Sequence, residues 1–336
     1  MTSLLDVANL TVELPTPNGL VRPVNEVSLQ IAPSESLGLV GESGSGKTMM
    51  ALALMGLLPP GARVSGQARM AAASGGATHP IDLTNLSERE WCAVRGRQIA
   101  MIFQEPMTAL NPVLRIGFQV AEAVRVHEPA LSSFETHRRV LAALQRAAVP
   151  EPERRASQFP HQLSGGLRQR AMIAMALAGG PRLLIADEPT TALDVTVQKQ
   201  ILDLLDRLRR ELQLGLLFIT HDLGVVAQVA DRVAVMYAGR VVEYGPVQEV
   251  LRRPSHPYTR GLLAASPLLE RGRLVPIPGT VPQLTALPPG CSFEPRCALR
   301  LPACVSAVPD LRPASQGHDA RCILIPSGFA ASSQLQ

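Results

Sequence analysis

The chain has 336 residues, 46% of them hydrophobic, enough for one large domain with its own core and a smaller second one. Thirty-two basic against 28 acidic residues leave a net charge of +4 with no dense Lys/Arg run, and aromatics are 3%, a composition that argues against a nucleic-acid surface. The apolar run at residues 49–58 is ten residues long, whereas a spanning helix needs roughly 20. The N-terminus shows neither the basic start nor the apolar core of a secretory leader, so the chain is expected in the cytosol, with any membrane attachment made through partners.

In chain order, residues 4–14 and 21–31 alternate as antiparallel strands do, around the turn signal Thr16-Pro17-Asn18-Gly19. Residues 36–40 read as a short buried strand and residues 49–58 as an apolar helix, stopped by Pro59-Pro60-Gly61. Between strand and helix stands Gly41-Glu42-Ser43-Gly44-Ser45-Gly46-Lys47-Thr48, followed by Met49, a phosphate-binding loop in the context the motif requires. Its glycines let several backbone N–H groups aim at phosphate oxygens. Lys47 supplies a point charge for the β- and γ-phosphates, Thr48 a hydroxyl for Mg²⁺, and the helix its positive end.

Residues 71–80 are small and polar and read as a surface excursion. Gln104 follows the strand-like residues 99–103, where an amide can reach Mg²⁺ and an attacking water. Residues 112–180 carry several helical patterns, including 134–148, and form a helical subdomain with Ser164-Gly165-Gly166 at a helix start. Residues 183–186 read as a central parallel strand ending in Asp187 and Glu188, where α/β folds place ligands. There Asp187 can hold Mg²⁺ through water and Glu188 can orient or deprotonate the attacking water. Asp194 suits the N-cap of an amphipathic helix with Val197, Ile201, Leu204, Leu205, Leu208 and Leu212 on one face. His221 follows another buried strand and could hydrogen-bond a γ-phosphate. Strand and helix alternate to about residue 252, as a parallel α/β core demands. From 253 to 325 prolines interrupt every long element, which predicts a loop-rich appendage, and residues 326–336 read as a flexible tail.

Cys92 stands alone, but Cys291, Cys297, Cys304 and Cys322 cluster in the appendage, with five, six and seventeen residues between them. A disulfide is not expected in a cytosolic chain, and four thiols in a segment with little core suggest a stapling metal. The spacing does not choose between an iron–sulfur cluster, zinc and free thiols.

The ordered set of residues 41–48, Gln104, Leu163-Ser164-Gly165-Gly166, residues 183–188, Thr191-Ala192-Leu193-Asp194 and His221 resembles the ATP-binding subunits of ABC transporters over residues 1 to about 250. Residues 168–177, residues 186–198 and His256-Pro257-Tyr258-Thr259-Arg260-Gly261-Leu262-Leu263 are similar to the oligopeptide, dipeptide and nickel importer branch. The resemblance implies an α/β P-loop cassette with a RecA-like parallel-sheet core, an antiparallel β subdomain, a helical signature subdomain and a small Pro/Cys-rich C-terminal region. It implies ATP held by residues 41–49, Mg²⁺ served by Thr48, Asp187 and Gln104, Glu188 as catalytic base and His221 as γ-phosphate switch. Ser164, Gly165 and Gly166 would contact the nucleotide of a partner chain, and Asp194 would lie at the dimer interface. The residues 105–111 would lie near membrane subunits. Gly290 to Cys297 is similar to the cysteine segment of dipeptide-importer ATPases, some of which carry a [4Fe–4S] cluster.

The implied machine is a peripheral motor at the cytoplasmic face of a bacterial membrane. It pairs two ATPase chains, not necessarily identical, with two permeases and an external binding protein. The cargo stays open among peptides, nickel chelates, glutathione and opines. Soluble ABC ATPases of DNA or ribosomes fit less well, because Lys47 and Ser164 are only 117 positions apart without a heptad run and the chain has one cassette. An exporter is disfavoured by residues 256–263. Two departures stand out. Leu167 replaces the glutamine usual after the signature glycines, and residues 1–40 contain no aromatic to stack on adenine, so that either adenine is held weakly or Leu14, Pro15 or Val24 packs against it instead.

Overall fold

The computed structural model describes residues 3–72, 79–191, 193–266 and 275–325. The surface excursion is therefore described only at its edges, and the expected tail lies outside the described residues. The chain folds into two compact units, each discontinuous in sequence. One gathers Leu5–Ile31, Ser36–Thr84 and the chain from Phe218 onward; the other is built mainly from Asn85–Leu217, with Ala32–Glu35.

In the first unit, strands Leu5–Thr16 and Gly19–Ile31 form the expected hairpin, in register from Leu5 opposite Ile31 to Thr16 opposite Gly19. The alternation is explained by burial: Leu5, Val7, Leu10 and Val12 face the core, as do Val24, Val27, Leu29 and Ile31. Bulges shift the register along the pair, and Asn9 and Glu26 take positive φ there. A further strand, Arg63–Met70, pairs antiparallel with the first, and Ile81–Asp82 pairs with it in turn. The sequence reading missed Arg63–Met70, because only Ala68 and Met70 of its eight residues are buried and the alternation is confined to its last residues.

The same unit holds a second sheet. Strand Ser36–Val40 runs parallel to Arg232–Tyr237, and all five of its residues are buried, as a strand covered on both faces requires. Arg232–Tyr237 pairs antiparallel with Arg240–Pro246, which pairs with His318–Ala320, and that strand with Arg312–Ser315.

These last two strands lie within the expected loop-rich region and tie it to the sheet. The segment from 253 also supplies the helix Pro257–Ala264 and the short 3-10 turns Glu294–Arg296 and Pro302–Val305. Its Tyr258, Leu263 and Phe293 are buried in one cluster with Val235, Tyr237, Val242, Val247 and Val250. Pro257 does not break the helix, because it occupies the first turn where an N–H has no intrahelical partner.

In the second unit, strands Ile99–Ile102 and Leu183–Asp187 pair in parallel. Helices Ile116–Arg125, Ser133–Arg146, Pro152–Ala156 and Gly165–Leu177 occupy the predicted helical stretch. A reciprocal cap starts the longest of these: Ser132 Oγ accepts from the Glu135 N–H, and Glu135 Oε2 accepts from the Ser132 N–H at 3.1 Å. Helix Val195–Leu212 buries Ile201, Leu202, Leu204, Leu205 and Leu208; Leu202 joins the predicted face, whereas Val197 and Leu212 lie at its half-buried ends.

Candidate functional site

The phosphate loop lies in the first unit, between strand Ser36–Val40 and helix Lys47–Met55. Gly44 and Gly46 have φ of 77° and 108°, backbone that favours glycine. At Gly46 a Cβ would stand 1.9 Å from the Pro23 carbonyl oxygen, so a side chain is excluded there by contact as well as by angle. Ser45 and Lys47 are buried, while Ser43, Gly44 and Thr48 are exposed at the mouth of the loop. Lys47 Nζ donates to the carbonyl oxygens of Gly41 at 2.6 Å and Glu42 at 3.0 Å, which holds its charge within the loop. The Gly239 N–H donates to Ser45 O at 2.9 Å and ties the loop to the core sheet.

Glu42 is engaged by the C-terminal region. Its N–H donates to the Tyr258 hydroxyl at 2.8 Å, and its carboxylate accepts two N–H groups of Arg296 at 2.7 and 3.0 Å. Tyr258 and Arg296 are residues that sequence reasoning missed as parts of this site. Tyr258 was visible only inside a family-like run, and nothing local ties Arg296 to a loop 254 positions away. The buried imidazole of His256, pushed down to about 4 by desolvation, is neutral and caps the helix start, its Nδ1 accepting from the Tyr258 N–H at 3.1 Å. His221 is exposed just before Asp222, the N-cap of helix Leu223–Val229.

The other residues predicted to act on ATP belong to the second unit. Gln104 is exposed after strand Ile99–Ile102, and the loop expected at 105–111 contains the short helix Pro106–Ala109. Ser164 is the N-cap of helix Gly165–Leu177, its Oγ accepting from the Leu167 N–H at 3.4 Å. Gly166 packs so close to Val197 that a Cβ would meet its Cγ1 at 2.8 Å. Asp187 is buried at the end of its strand, 2% exposed. Glu188 takes φ 46°, a left-handed conformation rare outside glycine, and its carboxylate accepts the Thr191 hydroxyl at 2.9 Å. Strain at a carboxylate is expected where geometry serves chemistry more than stability. Asp194 is the N-cap its sequence predicted, accepting from the Val197 N–H at 2.9 Å.

Of the three residues considered for adenine, Val24 is fully buried in the hairpin, which leaves Leu14 and Pro15 at the surface.

The four clustered cysteines line one cavity with His256, Phe293 and Glu294. Burial, reinforced by neighbouring thiols, pushes the thiols of Cys291, Cys297 and Cys322 up. Among the described residues no group of three or more His, Cys, Asp or Glu side chains is gathered to hold a metal ion. The cavity alone therefore does not establish the expected iron–sulfur cluster. Cys92 is exposed. No helix among the described residues is long and apolar enough to cross a membrane.

Comparison with known proteins agrees with this geometry. A family model described as ABC transporter matches residues 24–191, and one described as oligopeptide/dipeptide transporter, C-terminal region, matches residues 242–304. A putative peptide import ATP-binding protein of Brucella ovis is 49% identical over 95% of this chain and 96% of its own length. The oligopeptide transport ATP-binding protein OppD of Mycobacterium tuberculosis is 47% identical over 96% of this chain, which spans 52% of that relative. Among solved structures, the dimeric ATP-binding cassette MJ0796 bound to ADP and Pi superposes with a TM-score of 0.63 at 29% identity, covering 72% of this chain and 98% of that one.

Proposed function

This chain belongs to the ABC transporter ATP-binding proteins, and from that premise we propose that it is the ATP-hydrolysing motor of an importer for di- and oligopeptides. The observation that carries the reading is the union of two features in one compact unit: a phosphate loop, and the oligopeptide/dipeptide C-terminal region whose Tyr258 and Arg296 are bonded to it.

In this reading, residues 1–252 are the nucleotide-binding domain and 253–325 its extension. Within the ATP-binding residues 41–49, loop N–H groups other than that of Glu42 cradle the phosphates, with Lys47 as the charge and Glu42 holding the loop. For Mg²⁺, Thr48 would offer a hydroxyl, Asp187 a carboxylate and Gln104 an amide oxygen, the hard oxygen donors that this ion prefers. Bound Mg²⁺ would neutralise charge on the phosphates. Glu188 accepts the proton of the attacking water, held meanwhile by Thr191, and His221 senses the γ-phosphate. Ser164, Gly165 and Gly166 offer a helix N-terminus to the nucleotide of a second ATPase chain, with Asp194 at that interface. Two permeases would receive the motion and an external binding protein would deliver cargo, with the motor peripheral at the cytoplasmic face of the membrane.

The four thiols are read as ligands of a [4Fe–4S] cluster. They line one cavity with His256 and Glu294, walled by Phe293, Leu299, Ile323 and Leu324, and four thiolates are the usual ligand set of such a cluster. A cluster gives each thiolate its own iron, so it does not need four sulfurs around one centre as zinc does. Anaerobically purified protein should contain iron and absorb broadly near ~400 nm; iron-free protein with four titratable thiols in this segment would sink the cluster.

The motor reading is tested by ATP hydrolysis in liposomes carrying the chain with its permeases, with and without binding protein loaded from a peptide pool. Peptide-dependent stimulation is expected, and Glu188→Gln should lower hydrolysis at least about 100-fold while MgATP still binds. Activity indifferent to peptide would discard the peptide cargo, and nickel chelates, glutathione and opines would be assayed next. Full activity in Glu188→Gln would remove Glu188 from its role.

A further inference from the structure

We propose that Arg296 and Tyr258 are positioning residues for the phosphate loop, acting through Glu42, so that the C-terminal region sets how tightly this chain holds ATP. The proposal rests on the ATP-binding reading above.

A loop rich in glycine and serine loses much freedom when it orders, so what anchors its ends decides how ready it is for phosphate. The C-terminal end is anchored by helix Lys47–Met55 and by the Gly239 N–H on Ser45 O. The N-terminal end is anchored at Glu42, on both its backbone and its side chain. Because the Glu42 N–H is taken by the Tyr258 hydroxyl, Glu42 serves the loop as a post and not as one of its phosphate donors.

The post is built into the core. The Arg296 side chain is 4% exposed, and its Nε donates to Pro278 O at 2.9 Å. Its Cζ stands 5.9 Å from the ring centroids of both Tyr237 and Phe293. Tyr258 is buried, its ring 4.6 Å from Tyr237 and 5.3 Å from Phe293. A guanidinium fork fixed in this way meets a carboxylate in one geometry only, which an ammonium cannot reproduce. The pair also acts electrostatically, because Arg296 neutralises a carboxylate that stands next to the seat of a highly negative ligand. Without Arg296, Glu42 would both loosen and repel.

The test uses the full chain, purified and checked by thermal melting, with a fluorescent ATP analogue for Kd and steady-state hydrolysis for KM and kcat. Arg296→Gln should raise Kd and KM for MgATP about fivefold or more, with kcat at saturation within about twofold, the pattern of lost ground-state binding. Arg296→Lys should restore only part of the affinity. The double variant Glu42→Gln, Arg296→Gln should bind ATP better than Arg296→Gln alone, because the unpaired carboxylate is gone. Tyr258→Phe keeps the ring packing and removes the acceptor, and it should raise Kd while the protein stays folded, with only a modest fall in melting temperature. If Arg296→Gln fails to fold, Tyr258→Phe decides by itself. Wild-type affinity in folded Arg296→Gln and Tyr258→Phe, or a loss confined to kcat, overturns the proposal. A wild-type chain that binds no ATP overturns instead the reading on which it rests.

Discussion

Glu188 and Gly46 show two ways in which a backbone angle bears on a single residue. Glu188 tolerates φ 46° although it has a Cβ, at a cost of about 1 to 2 kcal/mol. Gly46 cannot be anything else, since its φ is 108° and a Cβ would stand 1.9 Å from a backbone oxygen. Gly46→Ala should therefore abolish binding of the fluorescent ATP analogue and lower the melting temperature; retained affinity would mean that the loop can shift to admit a methyl. The glycine pattern was legible in the sequence because phosphate loops require those positions. The strain at Glu188 was not, since no residue type announces a left-handed carboxylate.

At the scale of elements, caps and periodicity were readable and exposed strands were not. Asp194 was identified as an N-cap from its place before an amphipathic run, and it caps that helix. The Ser132–Glu135 capping box lies on an exposed helix start, so its removal can be read locally. Ser132→Ala should cost about 1 kcal/mol and speed amide exchange in the first turns of Ser133–Arg146, with little change in ATP affinity. Unaltered exchange there would show that packing of Val140, Ala143 and Leu144 alone holds the helix start. Strand Arg63–Met70 escaped because its neighbours, not its own alternation, recruit it into the sheet.

For the molecule as a whole, the segment after 253 proved to be woven into the first unit. Glu243, fully buried, is the hub: its carboxylate accepts the N–H groups of Ser255 at 2.6 Å and His256 at 2.9 Å and meets His318 Nε2 at 2.7 Å. Glu243→Ala leaves these partners without an acceptor in the core and should destabilise the fold by at least about 3 kcal/mol, seen as a large drop in melting temperature. A drop of only a degree or two would mean that water takes over the lost bonds. A chain ended at residue 252 should be insoluble or poorly folded, because Tyr237, Val242, Val247 and Val250 would lose Tyr258, Leu263 and Phe293 as cover.

The sequence by itself determined the motifs: the phosphate loop, the signature turn and the acidic strand end are each contiguous, and their backbone demands are local, so residue type and order suffice to write them down. Tertiary structure decided what holds the phosphate loop in place. Tyr258 and Arg296 reach Glu42 from 216 and 254 positions away. They meet it because the aromatic packing of Tyr237, Tyr258 and Phe293 brings the C-terminal region there, and contacts set by burial between distant segments leave no periodic mark on either one.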